Sequence, residues 1–232
     1  RLRVNGRRLA VWTCSPGNLD ALAAGRLLTS GFVRHLADIL ALEPLEDDGA
    51  APGIDARLEA AATAEGFAER EHRAEHGCGL RFLLGCRPDL IRREHVAPAP
   101  PAMERFPDLF RVLYERATTY RDIGGVHTAA LCAGEAVPGE ALAYHQEEVG
   151  RHNAVDRVIG QALLDGADLK GFGLLTTARI SGEIAEKAAR AGLAWIASRS
   201  VPTTLAVEIA GRAGLSIVAR APSRDARVFG AP

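Results

Sequence analysis

The spacing of apolar residues changes several times along the chain, and each change marks an element. Leu2-Arg3-Val4 alternates as a strand, Asn5-Gly6 supplies a tight turn, and Leu9-Ala10-Val11-Trp12 reads as the returning segment. After Ser15-Pro16-Gly17-Asn18, the residues Leu19, Leu22, Ala23, Leu27 and Leu28 recur at helical spacing, and Gly31 stands where a C-terminal cap belongs. Residues 43–75 are poor in large apolar side chains and predict surface structure around one short strand, Ile54 to Leu58. Pro98, Pro100 and Pro101 make Arg92 to Glu104 a linker or extended crossing, which divides the chain into residues 1–100 and 101–232.

Beyond that crossing the pattern sharpens. Leu109 to Tyr114 predicts the start of a helix, Val126 to Cys132 and Ala141 to His145 predict paired strands, and His152 to Leu164 predicts a helix. Strand Phe172 to Thr176, helix Ser181 to Gly192 and strand Ala194 to Ala197 follow. Pro202 then opens a helix that Gly214 ends, and Leu215 to Ala219 is a strand. Such alternation predicts an α/β fold with a parallel section, smaller N-terminal α+β structure preceding it. Ligands in such sheets bind beyond the carboxyl ends of the strands, here Thr176 to Ser181 and Ser198 to Thr204. Each of these loops carries hydroxyls and an Arg, equipment for a phosphate. The same residues fit equally well as ordinary helix caps, Ser181 and Ser200, beside a solvated Arg.

Composition narrows the classes. The chain has 232 residues, 47% apolar and 25% charged, which excludes wholesale disorder. The charge sum is 28 − 29 = −1, with a pI near 6.7; this argues against nucleic acid as the main partner. No apolar run approaches the roughly 20 residues that span a bilayer, so no membrane segment is expected. The opening Arg1 to Gly6 has no signal core and the single Met is Met103, so the chain is expected to start inside a longer protein. Cys14, Cys78, Cys86 and Cys132 form no C-x-x-C pair, which suits a reduced, cytoplasmic protein whose thiols are mostly core residues.

Familiar chemistries fall away. There is no Walker loop, no complete dinucleotide fingerprint and no G-x-S-x-G elbow. His145-Gln146-Glu147 spells the H-x-E of a zinc deaminase, but no cysteine follows Cys132 to complete the ligand set, so no protein-bound zinc is expected. Two polar clusters remain. In Glu147 to Asp156, the residues Arg151, His152 and Asn153 at a helix start suit an anion or a purine edge, or a helix cap with a surface ion pair. In His76-Gly77-Cys78-Gly79-Leu80-Arg81, glycines leave the Cys78 sulfur approachable and Arg81 favours its thiolate.

Gly124-Gly125-Val126-His127-Thr128-Ala129-Ala130-Leu131 resembles the G-G-V-H-x-A-A-L stretch of the formate dehydrogenase accessory sulfurtransferase family, FdhD/NarQ. Glu148 to Gly160 is similar to its E-D-V-G-R-H-N-A-[VL]-D-K-[VL]-I-G signature, with Glu148 in place of Asp. Arg179 to Ala191, Val201 to Glu208 and Ser15 to Gly31 resemble three further family blocks, so the resemblance covers nearly the whole chain.

The resemblance implies a cytoplasmic homodimer whose main domain, residues 101–232, has a cytidine-deaminase-like three-layer α-β-α core without zinc. Residues 1–100 would form the N-terminal domain with the Cys78 loop. It implies a sulfurtransferase that takes persulfide sulfur from a cysteine desulfurase on Cys78. The acceptor is the molybdenum or tungsten bis-(molybdopterin guanine dinucleotide) cofactor of formate dehydrogenase. GDP or a GTP-like nucleotide can stand in for that cofactor. His127, Arg151, His152 and Asn153 would line its site. Its phosphates would be held by Arg179, Ser181, Thr203 and the loop Arg220, Ala221, Pro222, Ser223, Arg224 and Asp225. Two departures stand out: Arg81 occupies the place of the second cysteine of the family's C-G-x-C, and Pro222 and Asp225 stand where Arg is usual. They leave an alternative, a cofactor-binding or guanine-nucleotide-binding chaperone without sulfur-transfer chemistry.

Overall fold

The computed structural model describes residues 1–45, 51–59, 98–133 and 142–230. Two mixed sheets and six helices make up this part, confirming the α/β class. The smaller sheet runs β2-β1-β4-β3, built from β1 (Leu2–Val4), β2 (Arg7–Ala10), β3 (Ile39–Pro44) and β4 (Ile54–Leu58). Asn5 and Gly6 both take positive φ, 51° and 78°, which is what a two-residue hairpin turn matching strand twist requires. Strand β3 was not predicted from the sequence, and only Glu43 and Pro44 of it fall in the stretch expected as surface structure; all of it is half-buried or exposed and its alternation is weak.

The larger sheet runs β10-β9-β8-β7-β5-β6. Its members are β5 (His127–Ala133), β6 (Leu142–Glu148), β7 (Phe172–Thr176), β8 (Trp195–Ser198), β9 (Ser216–Ala219) and β10 (Arg227–Gly230). Strands β7, β8 and β9 are parallel, while β5 runs antiparallel to both β6 and β7. The helices are α1 (Leu19–Thr29), α2 (Phe106–Arg116), α3 (Thr118–Asp122), α4 (Arg151–Leu164), α5 (Gly182–Arg190) and α6 (Thr204–Ala213). Helix α2 reaches back to Phe106 because Pro107 suits its first turn, so Leu109 to Tyr114 is its body rather than its start. Helix α6 is opened by the side chain of Thr203, not by Pro202, whose backbone instead bridges to Ile180.

Side chains of the large sheet alternate between its faces. Leu131, Leu174, Ile196 and Ile217 join an apolar cluster with residues of α1, α4, α5, α6 and the small sheet. Ala130, Leu175, Ala197 and Val218 join Phe106, Leu109, Phe110 and Leu113 of α2. Trp195 fills the second cluster, edge-on to Phe106 at 5.7 Å, and lies where a Cβ on Gly173 would stand 2.0 Å from its ring. The sheet is therefore buried on both faces, as near-continuous apolar strands require.

Candidate functional site

Strand β5 enters the large sheet at His127, on the edge where β7, β8 and β9 leave it. Main-chain bonds hold the loops there side by side. Thr177 N donates to Thr128 O, Thr203 N to Ile180 O, Arg220 N to Ser200 O and Ala221 N to Ser198 O, all at 2.9–3.1 Å. His127, Arg151, Arg179, Ser181, Thr203 and the Arg220–Asp225 loop are thus brought to one edge.

Arg179, Arg199, Arg220 and Arg224 are exposed on this edge, and none has a carboxylate partner among the described residues. Elsewhere Arg57, Arg111, Arg121, Arg190 and Arg212 are each within 3.4 Å of an acid. A guanidinium donates forked hydrogen bonds suited to phosphate and carboxylate oxygens. Arg220 also holds φ at +52°, the left-handed region that a side chain with Cβ adopts at a cost of about 1–3 kcal/mol, as happens at functional loops. Arg199 leans on the stacked pair Tyr114 and Tyr120, whose ring centroids are 6.0 Å apart; its Nη1 donates to both hydroxyls at 3.4 Å. Burial pushes the Tyr114 hydroxyl pKa up, against the opposing pull of Arg199.

The two helix starts on this edge differ. Thr203 Oγ1 accepts the Ala206 N–H at 3.2 Å and so caps α6. Ser181, at the start of α5, makes no side-chain cap bond; its Oγ lies 3.4 Å from His152 Nε2 instead. His152 Nε2 is 2.6 Å from Glu183 Oε2, both side chains being 9% exposed. Serine and glutamate share one ring nitrogen, so this is no Ser-His-acid relay, in which the acid takes the other nitrogen. Burial lowers the His152 pKa, with Lys187 and Arg151 adding to it and Glu183 opposing. Burial and the neighbouring Arg151 also lower that of His127.

Beneath the edge lies a buried polar network. Asn153 accepts from Arg26 Nη2 at 3.0 Å and donates to Thr13 O at 2.9 Å. Asp156 is fully buried and receives Arg26, Thr29 and Lys187 at 2.7–2.9 Å. Glu148 pairs with Arg157 and accepts the Ser15 N–H. The R-H-N-A-V-D block thus serves largely as structure behind the edge. His145 contacts Thr128 Oγ1 at 2.7 Å, and Glu147 accepts the N–H groups of Thr119 and Tyr120. Among the described residues no group of three His, Cys, Asp or Glu is placed to hold a metal ion.

Cys78 and Arg81 lie outside the described residues. Cys132 is a core thiol pushed up to about 12 by burial, and Cys14 is half-buried, raised first by burial and then by Glu148. Tyr114, Tyr120 and Glu183 were not singled out from the sequence. Glu183 sits in the S-x-E block and was legible there, whereas nothing in the spacing of the tyrosines points to Arg199.

The fold and this edge define a mixed α/β protein that gathers, on the carboxyl edge of its central sheet, four guanidiniums with no carboxylate partner among the described residues. The model of the FdhD/NarQ family matches residues 1–232, and the chain belongs to that family. It is 32% identical over 225 residues to the sulfur carrier protein FdhD of Burkholderia mallei, covering 92% of this chain and 80% of that one. The protein of the same name from Chromobacterium violaceum is 34% identical over 222 residues, with 92% and 79% covered. A crystal structure of a formate dehydrogenase accessory protein from Desulfotalea psychrophila has the same fold, with a TM-score of 0.72 at 24% identity, covering 100% of this chain and 85% of that one. No helix of the described residues is long and apolar enough to cross a membrane.

Proposed function

We propose that this protein is a cytoplasmic sulfur carrier, a sulfurtransferase acting as a homodimer and serving formate dehydrogenase. The Cys78 thiolate attacks the outer sulfur of a cysteine desulfurase persulfide, and the desulfurase cysteine leaves as its thiolate. One sulfur atom moves and nothing is oxidised overall. The cargo that receives it is the molybdenum bis-(molybdopterin guanine dinucleotide) cofactor, laid along the carboxyl edge. Residues 101–232 are the cytidine-deaminase-like domain in this reading, and residues 1–100 carry the cysteine loop. A single thiol suffices, since the transfer needs one nucleophile and one acceptor; Arg81 then serves as the cation that favours the thiolate.

The observation that supports the binding half of this reading is the set of four guanidiniums without carboxylates among the described residues, beside an α5 start that Ser181 leaves uncapped. An uncapped start offers free N–H groups and about half a positive charge to a phosphate. His127 and Arg151 border the site, and His152 and Asn153 form its floor. The diphosphate of a guanine nucleotide would meet Arg179, Ser181, Thr203 and the Arg220–Asp225 loop. Calorimetry with GDP tests this directly. A charge-assisted hydrogen bond contributes about 1.5–3 kcal/mol, so Arg179→Ala should weaken GDP roughly ten- to a hundred-fold. Unchanged affinity, or no binding by the wild type, would remove the site.

Arg81 in place of a second cysteine favours one other reading, a nucleotide- or cofactor-binding chaperone without sulfur chemistry. Complementation of formate dehydrogenase activity by Cys78→Ala, in a strain lacking its own accessory protein, separates the two. Full rescue supports the chaperone; failure beside a rescuing wild type supports the carrier.

A further inference from the structure

Arg199 differs from the other guanidiniums of the carboxyl edge. Arg179, Arg220 and Arg224 make no side-chain bond among the described residues, whereas Arg199 is held in place. Its loop is tied to the loops on either side. Ser198 Oγ donates to Ala178 O at 2.7 Å, and Ser198 O and Ser200 O accept the N–H groups of Ala221 and Arg220 at 2.9 Å. Arg199 therefore stands between the Arg179 loop and the Arg220–Asp225 loop.

Two tyrosines aim the side chain. Glu147 of β6 accepts the Thr119 and Tyr120 N–H groups at 2.9 and 2.6 Å, which anchors Tyr120, and the Tyr120 ring stacks on that of Tyr114. Both hydroxyls take the same nitrogen of Arg199, Nη1, at 3.4 Å. A guanidinium is planar, with five N–H donors in fixed directions. Holding Nη1 sets that plane and leaves the side-on fork of Nε and Nη2. Neither of these two atoms has a partner among the described residues, no described carboxylate acts on the group, and Arg199 is exposed.

A side-on fork donates two parallel hydrogen bonds and needs two adjacent acceptors. The diphosphate of the proposed ligand already has Arg179, Arg220, Arg224 and the open start of α5. On guanine, O6 and N7 are such a pair of acceptors. Adenine offers N7 beside an amino donor, which opposes the fork. We infer that Arg199 reads the base at this edge: its Nε–Nη2 fork takes O6 and N7 of guanine, so the site prefers guanine to adenine nucleotides. Tyr114 and Tyr120 are positioning residues that hold the plane of the fork. The inference rests on the nucleotide reading of the carboxyl edge and adds to it a choice of base.

Calorimetry on the full chain with GDP, IDP, ADP and inorganic pyrophosphate tests it. Inosine keeps O6 and N7 and lacks the guanine amino group, so IDP should bind within about three-fold of GDP. A bidentate base contact discriminates roughly ten- to a hundred-fold, and ADP should be weaker than GDP by that factor. Arg199→Met should bring GDP and IDP down to the ADP value and leave ADP and pyrophosphate within about three-fold of their wild-type affinities. The double variant Tyr114→Phe/Tyr120→Phe keeps both rings; it should reduce the GDP-to-ADP ratio and spare pyrophosphate. Arg179→Ala should weaken all four ligands alike. Equal GDP and ADP affinities in the wild type, IDP as weak as ADP, or an unchanged ratio in Arg199→Met would overturn the base assignment while the nucleotide site stands. Weaker pyrophosphate binding by Arg199→Met would overturn it too, since Arg199 would then be a phosphate ligand. An unchanged ratio in the tyrosine variant would remove the positioning role, and no nucleotide binding by the wild type would overturn both the inference and the site it rests on.

Discussion

Gly25 of α1 and Gly160 of α4 bring their helices into backbone contact. A Cβ on Gly25 would stand 1.7 Å from the Asp156 carbonyl oxygen, and one on Gly160 would stand 1.8 Å from that of Ala21. This approach lets Arg26 and Thr29 of α1 reach Asp156 of α4, and it seats the buried network under the proposed cofactor edge.

Gly25→Ala or Gly160→Ala should therefore destabilise the fold by about 3 kcal/mol or more, the upper end of overpacking costs. For a chain of this size that is roughly a 6–12 °C drop in Tm. Gly211 is the control: inside α6, a Cβ there meets nothing within 4 Å. Gly211→Ala should raise stability by about 0.5–1 kcal/mol. Thermal unfolding of the three variants checks both signs.

Acid should attack the same network. Burial pushes the Asp156 carboxyl up, but Arg26 and Lys187 outweigh it and hold it below the usual 3.8. Its stabilisation is fully present above the unfolded pKa of about 3.9 and is lost as pH falls through the depressed folded value. Asp156→Asn should cost about 3–5 kcal/mol at neutral pH, because two buried cations lose their partner. Urea melts across the acid range should show a flatter pH dependence in the variant than in the wild type.

The two helix starts should answer differently to the same kind of change. Thr203→Ala removes a working cap and should cost about 1 kcal/mol. Ser181→Ala removes a hydroxyl that caps nothing, so its stability cost should stay within a few tenths. Equal losses in denaturant melts would contradict the reading of α5 as an open helix end.

His127 should titrate below its ordinary value of 6.5, lowered first by burial and then by Arg151. At neutral pH it is uncharged. Removing the cation in Arg151→Gln should move the inflection upward, and imidazole NMR shifts followed through the titration will show whether it does.

The elements with strong local signals were legible in the sequence. Gly31, Gly192 and Gly214 mark the ends of α1, α5 and α6, and all three take positive φ. The alternation of β7, α5, β8, α6 and β9 follows from apolar runs bounded by such caps. Weaker elements were not legible: β3 and β10 are largely exposed and carry little apolar alternation, and they form by pairing with β4 and β9. At the site, the loops after β7, β8 and β9 followed from topology alone. The use of Asn153 and Asp156 by Arg26 and Lys187 did not, because partners 127 and 31 residues away leave no local pattern. The open start of α5 was equally hidden, since Ser181 and Thr203 look alike until the bond to His152 is seen.

The proposed function turns on sulfur carriage by Cys78. The direct measurement is an intact mass after incubation with a cysteine desulfurase and cysteine, followed by reduction as a control. Wild type should gain one reducible sulfur atom, Cys78→Ala none, and Cys14→Ala still one. Equal labelling of wild type and Cys78→Ala, or no labelling of either, would contradict it.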